Sequence, residues 1–381
     1  MYLPNYQDGS IVNLMSSIAE IYGYKSQYKP LKLLNSNKLI KAKNIVLLVI
    51  DGLGYEYLIK YGKNSYLRRN LCGKITSVFP ATTPTVITTF FTGLAPQQHA
   101  ITGWFMYLKE LGSVVAILPY NTRSGGLLFN QAKIRFSQIL RSKTFFKKIK
   151  VKSYCLFGEE IINSDFNQTT GKGAELVAYK TLNNFFDQLK KILNTSNRRK
   201  FIYAYLPWFD YYCHVYGVKS KEAYEHFKEI DKKLNSFTKA VKDTKFIIVS
   251  DHGQIDTEKS KIIRLENHPK FLETLTLPLC GESRCAYCYV HPSKIKQFKE
   301  YIKNNFSQIC EVHKSQDLIQ KGYFGLFKPN HKLFDRVGDY ILIMKENYIV
   351  KDFILGEKKA INIGNHGGMS REEMLVPLIL I

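Results

Sequence analysis

Residues 44–54, NIVLLVIDGLG, begin with an unbroken apolar run from Ile45 to Ile50 and close on Asp51 and Gly52. A strand that is apolar at every position, rather than at every second one, is buried on both faces, the condition of a strand inside a parallel sheet covered by helices. The same texture returns at Phe201 to Leu206 and Phe246 to Val249, with helical patterns between the runs over Ala174 to Leu193 and Lys221 to Val241. Strand and helix alternate along the chain, which predicts an α/β sandwich, three layers around a mostly parallel central sheet.

The texture changes from about Phe271 to Glu346. LCGESRCAYCYVHP, the amphipathic KIKQFKEYIKNNFSQI and DRVGDYILIMKEN read as strand, helix and strand. This predicts a small α+β insertion, residues 271–346, in a catalytic core made of residues 1–270 and 347–381. The tail SREEMLVPLILI starts with a capping-box pattern from Ser370 to Glu373 and continues as an apolar strand.

The chain has 381 residues, is 45% hydrophobic and 23% charged, and so has the composition of a folded protein rather than a disordered one. Lys and Arg number 55 against 32 Asp and Glu, a formal charge of +23. That excess is spread over short runs in a chain rich in Lys, Asn, Ile, Tyr and Phe, so compositional bias accounts for it better than a nucleic-acid groove does. Seven cysteines without a regular framework suggest reduced thiols. Cys280, Cys285 and Cys288 approach metal-knuckle spacing but lack a fourth ligand, and RCAYCYV reads as a buried strand with Cys285 and Cys288 on opposite faces. With neither a signal-like N-terminus nor a membrane-length apolar stretch, the expected location is the cytoplasm, with no membrane partner. Oligomeric state is not legible.

In a doubly wound sheet the chemistry gathers beyond the carboxyl ends of the strands. Asp51 and Asp251 both sit at such ends, each followed within two residues by a glycine that lets the backbone turn sharply. Taken singly, each is accounted for as a helix cap. Asp210 and His214 in YLPWFDYYCH are four apart and share one helical face. His252 follows Asp251 directly, and His366 lies in GNHGGMS. Thr83 in SVFPATTPTVITTFFTGL precedes Pro84 at a helix start, which predicts Thr83 at the N-cap, a place that favours an anion. Capping explains that segment by itself. Three carboxylates, three imidazoles and one hydroxyl, however, suffice for two zinc-like ions and a nucleophile, since a metal lowers the pKa of an otherwise poor nucleophile.

From NIVLLVIDGLG to GNHGGMSREEMLVPLI the chain resembles the alkaline phosphatase superfamily, and within it the type I phosphodiesterase/nucleotide pyrophosphatase branch. All ligand types occur in that family's order. The resemblance implies that Asp51, Asp251 and His252 hold one zinc together with Thr83, and that Asp210, His214 and His366 hold the other. It further implies that Thr83, aligned with the family's threonine after a Phe-Pro pair, is the nucleophile and passes through a phosphothreonine. The substrate would be a small phosphate ester or nucleotide. His99, in TGLAPQQHAITGW, is expected to be structural. The family's nucleotide pyrophosphatases carry a phosphate-binding asparagine where a gapless reading places Trp104, so a different donor is expected: the Thr83 amide, the Trp104 indole or a lysine.

The segment from Thr82 to Val86 lacks the Cys/Ser-x-Pro-x-Arg stretch of sulfatases, and the small late insertion differs from that of cofactor-independent phosphoglycerate mutases. Two alternatives stand beside the diesterase expectation. One is a phosphomonoesterase or phosphonate hydrolase on the same site, and the other is an inactive, basic nucleotide- or nucleic-acid-binding protein.

Overall fold

The computed structural model describes residues 1–357 and 359–381. Its centre is a seven-stranded sheet in the order Leu71–Thr76, Leu375–Leu380, Thr244–Val249, Asn44–Ile50, Lys200–Leu206, Lys152–Gly158 and Glu175–Tyr179. The last five of these run parallel to one another, and Leu375–Leu380 is antiparallel to both of its neighbours. This is the α/β sandwich with a mostly parallel sheet expected from the apolar runs.

The doubly buried strand explains itself residue by residue. Ile45, Leu47 and Val49 enter one apolar cluster with the Ile11–Ile21 helix and the Thr83–Thr92 helix. Val46, Leu48 and Ile50 enter the other, with Phe185 and Leu189 of Leu182–Asn194 and Phe227 and Ile230 of Lys221–Ala240. Burying an aliphatic side chain contributes about 1.5–3 kcal/mol, so polar residues at alternate positions would remove one layer's hold on the sheet.

Two sequence expectations are corrected here. Residues 174–193 are not one helix: Glu175–Tyr179 is an edge strand paired with Tyr154–Gly158, and the helix is Leu182–Asn194, capped by the Thr181 hydroxyl, which accepts from the Asn184 N–H. The open edge of the sheet takes the β-capable ELVAY segment and overrides its helical pattern. The second correction is at the start of the Thr83–Thr92 helix, where Thr82 is the N-cap and Thr83 the first helical residue.

A second, wholly antiparallel sheet contains Cys310–Lys314, Tyr340–Met344, Cys285–Cys288 and Cys280–Glu282, and it extends onto Phe105–Leu108, Ser113–Ala116 and Asn121–Thr122. Residues 105–122, which lie before the expected insertion, thus complete its sheet. Cys285 packs in one apolar cluster of this region and Cys288 in another, as their spacing on a strand requires. Cys155, Cys213, Cys280, Cys285, Cys288 and Cys310 are buried free thiols. No helix among the described residues is long and apolar enough to cross a membrane.

Candidate active site

The register of three adjacent parallel strands assembles the acidic half of the site. Val49 pairs with Val249 and Ile50 with Leu206, so Asp51 and Asp251 leave neighbouring strands at the same level, and the chain after Leu206 turns directly into the Trp208–Tyr216 helix that carries Asp210 and His214. Close approach is possible because glycines stand where side chains would collide. A Cβ on Gly52, which has φ +74°, would lie 3.0 Å from Cβ of Asp210, and one on Gly253 would lie 2.0 Å from the Glu372 carbonyl oxygen.

Asp251 and His252 are fully buried. The Oδ1 of Asp251 accepts the backbone N–H groups of Gly52 at 3.2 Å and of His252 at 3.0 Å. That arrangement aims Oδ2 at Nε2 of His252, 3.3 Å away. The same His252 nitrogen lies 3.1 Å from Oγ1 of Thr83 and 3.5 Å from Oδ1 of Asp51. Thr83, Asp51, Asp251 and His252 therefore meet around one point. His366 stacks on His252 with ring centroids 3.8 Å apart. Asp210 Oδ2 is 3.2 Å from Nε2 of His214, whose Nδ1–H is directed at the Gly364 carbonyl, 2.7 Å away.

Two groupings of ligand atoms lie within 4.8 Å of one another, Asp210 with His214 and His366, and Asp51 with Asp210 and His252. The first coincides with a set implied by the resemblance. The second has Asp210 where that resemblance has Asp251, so Asp210 stands between both positions while Asp251 borders one of them.

The donor set fits divalent cations, and the molecule's own polar bookkeeping is why. Asp51 Oδ1, Asp251 Oδ2 and His366 Nδ1 are buried without a hydrogen-bond partner, the condition expected of atoms whose partner is an ion. Burial, then the charges of Asp251 and Asp210, push the Asp51 carboxyl well above the usual carboxylate range. Burial also works against the Asp210 anion, but His214, His366 and His252 outweigh it and hold that carboxyl below its usual range. Burial and the neighbouring His252 keep His366 well below the usual imidazole range, hence neutral and able to ligate.

Supporting residues were not legible in the sequence. The Tyr205 hydroxyl donates to Oδ2 of Asp51, and the Gln254 amide donates to Oδ1 of Asp210. Tyr205 does lie three residues before the first residue of the Asp210 helix, and Gln254 directly after DHG, but nothing in those positions distinguishes them from ordinary core and turn residues. Of the aromatic residues beside Asp210, Phe209 is core, Tyr212 stacks on His226, and Tyr211 is exposed. His99 is buried among Thr89 and the Ile101 N–H, with its pKa lowered to about 3 by burial and then by Arg336, as a structural histidine would be.

Two cavities open beside Thr83, and Thr83 and Trp104 line both. One, of about 340 Å³, is walled by Ile87, Leu118, Phe157 and Tyr205. The other, of about 430 Å³, runs by Asp210, His214 and His366 to Glu282 and Lys351 of the second sheet and its neighbouring strand. A family model for type I phosphodiesterase / nucleotide pyrophosphatase matches residues 45–369. The chain belongs to this family. It is a member of the alkaline phosphatase superfamily, and a hydrolase of phosphoric ester or anhydride bonds.

Its fold is similar to that of murine ectonucleotide pyrophosphatase / phosphodiesterase 5, at TM-score 0.66 and 19% identity over 88% of this chain and 87% of that one. A threonine-to-alanine variant of the murine protein, described as inactive and bound to AMP, matches at TM-score 0.64 and 19% identity over the same shares, 88% and 87%. Phosphonoacetate hydrolase from Sinorhizobium meliloti 1021, in complex with phosphonoformate, matches at TM-score 0.64 and 16% identity over 89% of this chain and 90% of that one. At these identities the likeness concerns the fold. No curated protein sequence matches the chain significantly.

Proposed function

We propose that the protein hydrolyses phosphate diesters or pyrophosphates, with Thr83 as nucleophile and two zinc ions held by Asp51, Asp251 and His252 and by Asp210, His214 and His366. The observation that carries this reading is the position of Oγ1 of Thr83, 3.1 Å from Nε2 of His252, beside the buried carboxylates of Asp51 and Asp251 and the partly buried one of Asp210. The inactive threonine-to-alanine relative bound to AMP supports the same role for a threonine.

Thr83 begins its helix, so the helix's free N–H groups and dipole face a phosphoryl group placed before Oγ1. Thr82 holds the N-cap position and its hydroxyl donates to Glu282, so the Thr83 hydroxyl is not engaged in capping. Tyr205 and Gln254 hold the Asp51 and Asp210 carboxylates in fixed orientations, and the Gly364 carbonyl holds the His214 ring with Nε2 toward the site. Divalent ions bound there would supply Lewis-acid stabilisation of phosphoryl charge and a lower pKa for a hydroxyl. Attack by Thr83 would form a phosphothreonine and expel the leaving group on the opposite side of phosphorus.

Elemental analysis with an activity assay tests this. Purified protein is expected to carry about two zinc ions per chain, to lose hydrolysis of bis-p-nitrophenyl phosphate on chelation and to regain it with zinc. Full activity in metal-free protein would sink the reading. The cytoplasm is proposed as the location because seven cysteines, an odd number without a regular framework, suggest reduced thiols.

A further inference from the structure

A gapless reading of the resemblance places Trp104 where a phosphate-binding asparagine would stand, and the larger cavity beside Thr83 offers a different polar group. Among the described residues, four basic side chains reach its wall: Arg123, His214, Lys351 and His366. Arg123 is committed, with Asp352 at 2.8 Å and Glu357 at 2.9 Å. His214 and His366 belong to the candidate metal site. Lys351, at the end of the Ile349–Lys351 strand, is different: among the described residues its ammonium makes no ion pair and no hydrogen bond. Burial lowers its pKa although Glu282, Asp352 and Glu357 pull the other way. Of these, Asp352 and Glu357 already pair with Arg123. Glu282 spends Oε1 on the Thr82 hydroxyl at 2.6 Å and the Trp104 N–H at 2.7 Å, so it braces the start of the nucleophile's helix. A half-buried cation without a partner at the wall of a reaction cavity has an incomplete hydrogen-bonding shell that an anion can fill.

The side of the reaction that this cavity serves follows from in-line geometry. Attack by Thr83 drives the leaving group away from Oγ1, and the cavity that contains Lys351 is the one also lined by Asp210, His214 and His366, the group opposite the nucleophile in the proposed mechanism. The apolar cavity is left for the substituent that stays on phosphorus.

We propose that Lys351 is a specificity residue that binds a negative charge on the leaving group, so that the preferred substrates are phosphoanhydrides whose leaving group is itself a phosphate or pyrophosphate. This rests on the diester and pyrophosphate reading above and deepens it. The bond broken is the P–O bond to the bridging oxygen; the departing phosphate keeps that electron pair, and Lys351 meets its non-bridging oxygens without taking part in proton transfer.

The test uses two substrates that share the retained group and differ in the leaving group, thymidine 5′-triphosphate and the p-nitrophenyl ester of thymidine 5′-monophosphate. The zinc-loaded wild type, Lys351→Met and Lys351→Arg are compared, with thermal unfolding as a check on folding. Methionine keeps the aliphatic stem and removes the charge. Lys351→Met is expected to lower kcat/KM for the triphosphate about tenfold or more, the effect of one hydrogen bond to a charged group, and to leave the p-nitrophenyl ester within about twofold. Lys351→Arg should recover most of the loss. Calorimetry with inorganic pyrophosphate provides a second readout, with affinity falling in the Met variant by a similar factor. Equal losses on both substrates, or unchanged pyrophosphate affinity, overturn the assignment and leave Lys351 a structural residue. A wild type that cleaves neither compound overturns the phosphoric-ester reading itself.

Discussion

Thr83 and Asp51 show how single residues at this site trade stability for chemistry. Thr83→Ala is expected to lower kcat for a diester by about 10³-fold or more while leaving zinc content unchanged, since the proposed mechanism makes its hydroxyl the nucleophile. Because Thr83 is the first helical residue and not the N-cap, the cost in stability should stay within about 1 kcal/mol. Activity above a few per cent of wild type would remove Thr83 from the mechanism. Asp51 carries the opposite liability. Its carboxyl is raised by burial, Asp251 and Asp210, so without metal the folded state holds a proton that the unfolded state releases. Metal-free protein should therefore lose stability as pH rises through the ordinary carboxylate range toward the raised folded pKa. Asp51→Asn removes that slope, and chemical denaturation of the chelated proteins between pH 4 and 8 should show the variant as the more stable above about pH 6, though poorer in bound zinc. A parallel pair of curves would contradict the repulsion argument.

At the scale of elements, the connection that matters most is the ion pair between Arg284, in the turn after Cys280–Glu282, and Glu373 of the Arg371–Met374 helix, 2.7 Å apart and fully buried. It ties the second sheet to the core beside the DHG turn, where Gly253 donates to the Glu373 carbonyl at 2.9 Å. Burial works against the Glu373 anion, but Arg284 and the N–H of Gly368 outweigh it and hold the carboxyl below its ordinary value. A depressed folded pKa means that this stabilisation is complete above the unfolded value and is lost as pH falls through the folded one. Glu373→Gln should cost about 3 kcal/mol at pH 7 by leaving Arg284 charged, buried and unpaired, and the gap to wild type should narrow below about pH 4.5. Urea unfolding at pH 7 and pH 3.5 measures both; a gap independent of pH would mean that packing, not charge, dominates there.

For the whole molecule, the two cavities beside Thr83 give a phosphorus centre room for two substituents, as a diester or an anhydride requires and a monoester does not. The apolar wall of Ile87, Leu118, Phe157 and Tyr205 suits an uncharged group more than a second phosphate charge. We expect kcat/KM for bis-p-nitrophenyl phosphate to exceed that for p-nitrophenyl phosphate under matched zinc and pH. The reverse order by tenfold, about 1.4 kcal/mol of transition-state discrimination, would place the enzyme among monoesterases built on the same fold.

The sequence by itself determined the sheet and named the candidate ligands. A strand apolar at every position has only one stable environment, between two layers, and metal-binding side chains at the ends of such strands are exposed by their chemistry whatever the loops do. It also placed Asp210 with His214, because an interval of four is local geometry, and the Ser370–Glu373 capping box, because its partners are three residues apart. Local pattern misjudged residues 174–179, where an open sheet edge competes with helix, and the cap, where adjacent threonines are chemically alike. Only the tertiary structure decided which carboxylates share a point, since that depends on the register of three strands and on the absence of a side chain at Gly52. It alone brought Glu282 to Thr82, 200 residues away in the chain, and left Lys351 at the cavity wall with no ion pair among the described residues. Hydrogen bonds and charges act at a few ångströms in space, and no spacing along the chain records which distant segments will be brought that close.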